Sequence, residues 1–207
     1  MTMSVDTNLP AGAAWRLANR LSRGAVWAGA AITGASVLLV TYDVIARRLF
    51  GLTVGGADEL SGYAFAISVT WALAFTALER ANVRIDVVYQ RLPVRLAALL
   101  DWLALVSLAV FATVLTWHGW QVVSDSWAAQ STANTPLGTP LWIPQSLWLG
   151  GLAWFLVVLG LMLVRASVAL VTGDLPALQA IAGVKSATEE AEEGAAEGQR
   201  LVASERA

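Results

Sequence analysis

The side chains able to do acid–base, metal or redox chemistry are few in this chain and lie far apart. There is one histidine, His118, and no cysteine, which excludes disulfides, thiolate metal sites and thiol catalysis. A haem held by His118 would need a second axial ligand, and without another His or any Cys that ligand would have to be Met or Tyr. Flanked by Trp117 and Trp120, His118 reads instead as a hydrogen-bonded histidine at a membrane interface. Asp43 precedes Arg47 by four residues, on one helix face, so an ion pair is its main reading and proton handling the weaker one. Asp101 falls at the boundary of an apolar run, where a headgroup-level carboxylate is ordinary. No phosphate-binding glycine motif, nucleophile elbow or zinc-type spacing is present. The sequence therefore predicts no catalytic residue, cofactor or metal.

Composition explains the scarcity. Of 207 residues 57% are hydrophobic and 14% charged, the balance of a membrane protein rather than a soluble domain. No Asp, Glu, Lys or Arg occurs from Ser126 through Val164, whereas five of the fifteen acids crowd between Glu189 and Glu197. The formal charge of -2 is thus an average over a lipid-facing body, basic ends and an acidic tail. It gives no case for nucleic-acid binding.

A bilayer core about 30 Å thick takes roughly 20 apolar helical residues. Four runs qualify, at about 24–46, 60–78, 102–123 and 144–164. They predict an all-α membrane protein with four transmembrane helices, because unpaired strands are not viable in lipid. The expected organisation is a cytoplasmic segment 1–23, a membrane domain 24–171 and an acidic tail 172–207 too polar to order itself. A cleaved leader is the competing account of residues 1–30, but the apolar run continues past the usual h-region of about 7–15 residues.

Flanking charge predicts the orientation. Arg16, Arg20, Arg23, Arg80, Arg84, Arg91, Arg95, Arg165 and Lys185 fall on one side, and only Arg47 and Arg48 on the other. Nine against two places both termini in the cytoplasm. Trp117, Trp120, Trp127, Trp142 and Trp148 then gather toward the outer interface.

Between spans two and three, Glu79–Leu92 reads as an amphipathic helix on the membrane surface. Ala81, Ile85, Val88 and Leu92 make its apolar stripe, and Arg80, Arg84 and Arg91 reach toward lipid phosphate. A cytoplasmic extension of span two is the alternative. The outer loop 124–143 carries Pro136, Gly138 and Pro140, which predict a structured, non-helical segment suited to packing on protein or resting on headgroups. In span one, ten of the thirteen residues from Gly24 to Ser36 are Gly, Ala, Ser or Thr, including Gly24-xxx-Ala28 and Ala30-xxx-Gly34. Span two is similarly rich in small residues. So much small surface exceeds what one small bundle buries and points to a larger partner.

Several segments together resemble the small membrane subunit of tripartite ATP-independent periplasmic (TRAP) transporters. They are Arg47-Arg-Leu-Phe-Gly51, Asp58-Glu-Leu-Ser61, Leu78-Glu-Arg-Ala-Asn-Val-Arg-Ile-Asp86, and Thr135-Pro-Leu-Gly-Thr-Pro-Leu-Trp-Ile-Pro-Gln145. Their order and the four-span layout agree with that family over about residues 20–170. The chain departs where the family often has an aromatic residue before the acidic pair, here Gly56-Ala57, and a histidine, here Asn82.

The resemblance implies a non-catalytic subunit in the bacterial inner membrane. It would scaffold a large permease subunit that imports organic acids with sodium, and help receive a periplasmic solute-binding protein. It further implies that Arg47 or Arg48 pairs with Asp58 or Glu59 across the first hairpin. Structural or interface roles then fall to Arg47, Arg48, Asp58, Glu59, Arg80, Arg84, Asp86, Gly34, Pro136, Pro140, Trp142 and Pro144. The rivals are a free-standing four-span scaffold or assembly factor and a membrane electron-transfer subunit.

Overall fold

The computed structural model describes residues 12–80, 92–183, 194–195 and 198–199. Five helices of four residues or more are defined among them: α1 Ala13–Phe50, α2 Ala57–Leu78, α3 Val94–Ala128, α4 Trp142–Thr172 and α5 Leu175–Ala182. The first four are long and apolar enough to cross a membrane. The surface helix expected over Glu79–Leu92, with Arg84 and Asp86, falls almost wholly outside the described residues, as does most of the acidic tail.

The helices outrun the apolar runs that announce them. At 1.5 Å per residue, α1 with its 38 residues is about 57 Å long, far more than the hydrocarbon core. Hydropathy marks the part of a helix that lipid solvates, whereas backbone hydrogen bonding continues through headgroups and beyond.

The ends have local causes. Gly51 closes α1 at φ 65°, and Gly55 and Gly56 (φ 63° and 103°) carry the turn into α2. These left-handed conformations cost glycine nothing. Gly173 ends α4 at φ 73°, and the Asp174 carboxylate then caps α5 by accepting from the Ala177 N–H at 3.1 Å.

That last helix corrects the expected tail. Residues 175–182 are ordered, not part of an unstructured segment starting at 172: Leu178, Ile181 and Ala182 are buried in the core. The acidic composition of the tail belongs to residues further on. Averaging over the whole segment hid two turns of capped, amphipathic helix.

The spans pack as an open row in the order α1, α2, α4, α3, with α5 lying over α4 and α3. Core side chains concentrate on α4, where Phe155, Val158, Leu159, Met162 and Ala166 meet Ala74 and Ala77 of α2 and Ala98, Leu105 and Ala112 of α3. Helix α1 packs chiefly on α2; its buried residues are Ala18, Ser22, Gly29, Asp43 and Ala46, of which Ser22 meets Trp154 of α4. Trp27, Leu38, Ile45 and Phe50 of α1 are exposed.

Close approach occurs at particular glycines. A Cβ on Gly29 would lie 3.2 Å from that of Ser68, and one on Gly151 would lie 2.6 Å from the Thr70 hydroxyl. Gly34, expected at a helix contact, meets nothing within 4 Å. It lies on the outward side of α1, because residues five apart on a helix point about 140° apart.

Candidate functional site

The polar side chains that remain in so apolar a chain hold helices and loops to one another, and two carboxylates at the α1–α2 end do most of it. Asp43, in the last two turns of α1, is 3% exposed. It receives the Arg47 guanidinium from one turn ahead, the Thr53 hydroxyl at 2.9 Å and the Val54 N–H at 2.7 Å. The turn after α1 is thereby folded back onto the helix it leaves. Hydrogen bonds to an ionised acceptor are stronger than neutral ones, and three of them fix the acceptor's geometry.

Glu59, in the first turn of α2, does the same for a distant segment. Its Oε1 accepts from the Tyr63 hydroxyl at 2.8 Å, its Oε2 from the Thr135 hydroxyl, and Thr139 also interacts with it. Thr135 belongs to the loop between α3 and α4, a hairpin-like excursion closed by Ala133 N–H to Thr139 O (2.9 Å), Gly138 N–H to Thr135 O (3.0 Å) and Leu141 N–H to Ser131 O (3.0 Å). Leu137 at its tip covers Gly56 so tightly that a Cβ there would lie 2.1 Å from Leu137 Cδ1. At its base Trp127 and Trp142 meet edge to face, centroids 4.7 Å apart. Gly56 therefore serves both the backbone turn and the loop's seat.

Other ties run along the spans. Thr33 donates to Ser68 at 3.0 Å, and Ser68 lies 3.0 Å from the Gly29 carbonyl, locking α1 to α2. Trp71 Nε1 donates to Leu147 O at 3.0 Å, Trp154 Nε1 to Ser22 at 3.1 Å and Trp102 Nε1 to Ser167 at 2.9 Å. At the other end Arg80, itself at φ 56°, donates to Gln179 O of α5 at 3.2 Å, and the Arg165 guanidinium lies 5.0 Å over the Trp15 ring.

Among the site residues read from sequence, the structure brings Glu59 to Thr135, next to Pro136, and sets Pro140 and Trp142 at the loop's return. Pro144 is buried in the first turn of α4. Arg48 and Asp58 are exposed. The implied pairing of Arg47 or Arg48 with Asp58 or Glu59 is corrected: Arg47 pairs with Asp43 on its own helix, and Glu59 is taken by hydroxyls. The i,i+4 pair needs no second segment to be ordered. Sequence reading missed Thr53, Tyr63, Thr135, Thr139 and Ser68 as partners. Hydroxyls in apolar runs signal that a hydrogen bond exists but not to which helix.

His118 is exposed, its Nδ1 3.0 Å from Gln121 Oε1. Among the described residues no three of His, Cys, Asp and Glu group as metal ligands. Among the described residues two acids are buried, Asp43 near the end of α1 and Asp101 near the start of α3.

Four apolar helices, cross-tied by side chains and faced with uncovered apolar surface, define a multi-pass membrane protein. The chain belongs to a transporter family: the family model of the DctQ component of tripartite ATP-independent periplasmic transporters matches residues 36–169. It is thus a small membrane component of a TRAP transporter, resident in the inner membrane. No curated protein and no solved structure matches it.

Proposed function

We propose that this chain is the non-catalytic scaffold of a sodium-coupled importer of organic acids. It braces the large permease subunit, helps receive the periplasmic solute-binding protein, and leaves the solute and sodium sites to the permease. Both termini are cytoplasmic, which turns the Asp43–Glu59 end and its loop toward the periplasm. Arg47, Arg48, Asp58, Pro136 and Pro140 there, with Trp142 and Pro144, form and support the docking end. Gly34 on α1 faces the permease, and Arg80, Arg84 and Asp86 serve the cytoplasmic end.

The single observation that carries this reading is the open row. Helix α1 packs chiefly on α2, and among the described residues Trp27, Leu38, Ile45 and Phe50 of this apolar helix, 38 residues long, are left exposed. Lipid tails supply no hydrophobic drive between helices, so small-residue surfaces of this extent suit packing against another helix.

The test is purification of the tagged chain from its native host in mild detergent, with solute uptake measured in a deletion strain. Co-recovery of a large polytopic permease and lost uptake of an organic acid are expected. Recovery alone with unimpaired uptake would support the free-standing scaffold instead. The orientation is checked separately by single cysteines at Gly12 and Ala133 in this cysteine-free chain. An impermeant thiol reagent should label only the second in intact spheroplasts.

A further inference from the structure

We propose that the outward face of α1 around Arg20 and Arg23 binds an anionic phospholipid with two phosphates in one headgroup, diphosphatidylglycerol in chemical type. At about 100° per residue, Arg20, Arg23, Gly24 and Trp27 share an arc of about 100° on the helix. The buried Ala18, Ser22 and Gly29 lie on the opposite side. All four residues of the arc are exposed, Trp27 at 74%. Among the described residues neither Arg20 nor Arg23 makes a hydrogen bond or ion pair with another side chain.

Depth along the helix selects what this face meets. Both arginines stand just ahead of the apolar run that opens at Gly24, at the level of lipid phosphates. Trp27 lies one turn further in, where an amphipathic indole rests against the start of the acyl chains. Gly24 raises no side chain beside the arginines, and a Cβ placed on it would meet nothing within 4 Å. A headgroup can therefore approach the backbone of α1 next to both guanidiniums, with its acyl chains passing along Trp27 and the exposed Ala31.

Charge complementarity selects the lipid. A guanidinium takes a phosphate bidentately, so two of them call for two phosphates. Supplied by separate lipids, each phosphate costs the immobilisation of its own molecule. In diphosphatidylglycerol a glycerol bridge holds the second phosphate close once the first is bound, at high effective concentration. A zwitterionic headgroup brings an ammonium as well, and α1 carries no acid before Asp43 to receive it. The inference needs only residence in a membrane and stands apart from the scaffold reading.

The experiment incubates the purified full chain with mixed micelles of equimolar tetraoleoyl diphosphatidylglycerol, dioleoyl phosphatidylglycerol and dioleoyl phosphatidylethanolamine, and counts retained lipids by native mass spectrometry. The diphosphatidyl lipid should be held over phosphatidylglycerol by about tenfold, the scale of one further hydrogen bond to a charged group, with the ethanolamine lipid retained least. Arg20→Gln and Arg23→Gln exchange one good helix former for another, so α1 persists. Each should lower the preference to about twofold, the statistical advantage of a lipid that offers two phosphates to one guanidinium. Arg95→Gln, at an exposed arginine in the first turn of α3, should leave the preference as in the unaltered chain.

Equal retention of the two anionic lipids by the unaltered chain, or a preference that survives Arg20→Gln and Arg23→Gln together, overturns the proposal. So does an equal loss in Arg95→Gln, which would assign the lipid to general positive charge. A photo-crosslinker at position 27 should capture lipid in native membranes, and capture of a protein helix there instead would also overturn it.

Discussion

Asp43 accepts the backbone N–H of Val54 at 2.7 Å, eleven residues further along the chain and on the far side of a reversal. The bond makes a carboxylate in a membrane helix responsible for the shape of the turn outside it. Asp43→Asn keeps the size but weakens three hydrogen bonds at once, those from Val54, Thr53 and Arg47. The variant should lose thermal stability in detergent and show faster proteolysis within 51–56. An unaltered midpoint and cleavage pattern would contradict the role of Asp43.

The loop's seat on α2 predicts a coupling. Glu59→Gln and Thr135→Val each break the same bond, so their effects on thermal stability should be clearly less than additive in the double variant. Additive losses would mean that the two side chains act separately.

Arg47 and Arg48 are neighbours with different work. Arg47→Glu sets a like charge one turn from Asp43, whereas Arg48 makes no ion pair with an acid in the described residues. The first reversal should destabilise the isolated chain and the second leave it unchanged, read as melting in detergent. If Arg48→Glu alone impairs recovery of a permease, its role lies in the complex.

Two glycines separate folding from assembly. Gly151→Ala drives a Cβ to 2.6 Å from Thr70 Oγ1 and 2.9 Å from Thr70 backbone, an overpacking that should cost about 1–3 kcal/mol. Gly34→Leu meets open space among the described residues, so it should leave the isolated protein as stable as before while lowering the yield of a complex with the permease. Normal complex yield would remove Gly34 from any interface.

The four long apolar helices were legible because charge-free runs of spanning length stand out in the sequence. Arg23 and the pair Arg47-Arg48 bracket the first run as the bilayer requires. What stayed hidden was which helix touches which. In lipid every apolar face has equal standing, so Gly29 and Gly34 look alike in sequence although, among the described residues, Gly29 meets another helix and Gly34 does not. The ties of Glu59 were hidden for a related reason. The strongest sequence cue, the basic pair upstream, names a charge partner, but a carboxylate accepts hydroxyls equally well once folding brings Thr135 and Tyr63 to it.

Ser22 and Trp154 give a test of the ties between spans in which sign as well as size is diagnostic. Ser22 is fully buried and accepts from Trp154 Nε1 at 3.1 Å. Ser22→Ala leaves an indole N–H without its acceptor, which should cost about 1 kcal/mol, in the range measured for such bonds between membrane helices. Trp154→Phe removes the donor together with its need for a partner, leaving only the serine hydroxyl, which can turn to a carbonyl of its own helix. Adding Trp154→Phe to Ser22→Ala should therefore restore part of the lost stability instead of deepening the loss. A double variant less stable than either single one would mean that the indole's packing, not its hydrogen bond, joins α1 to α4 at this point.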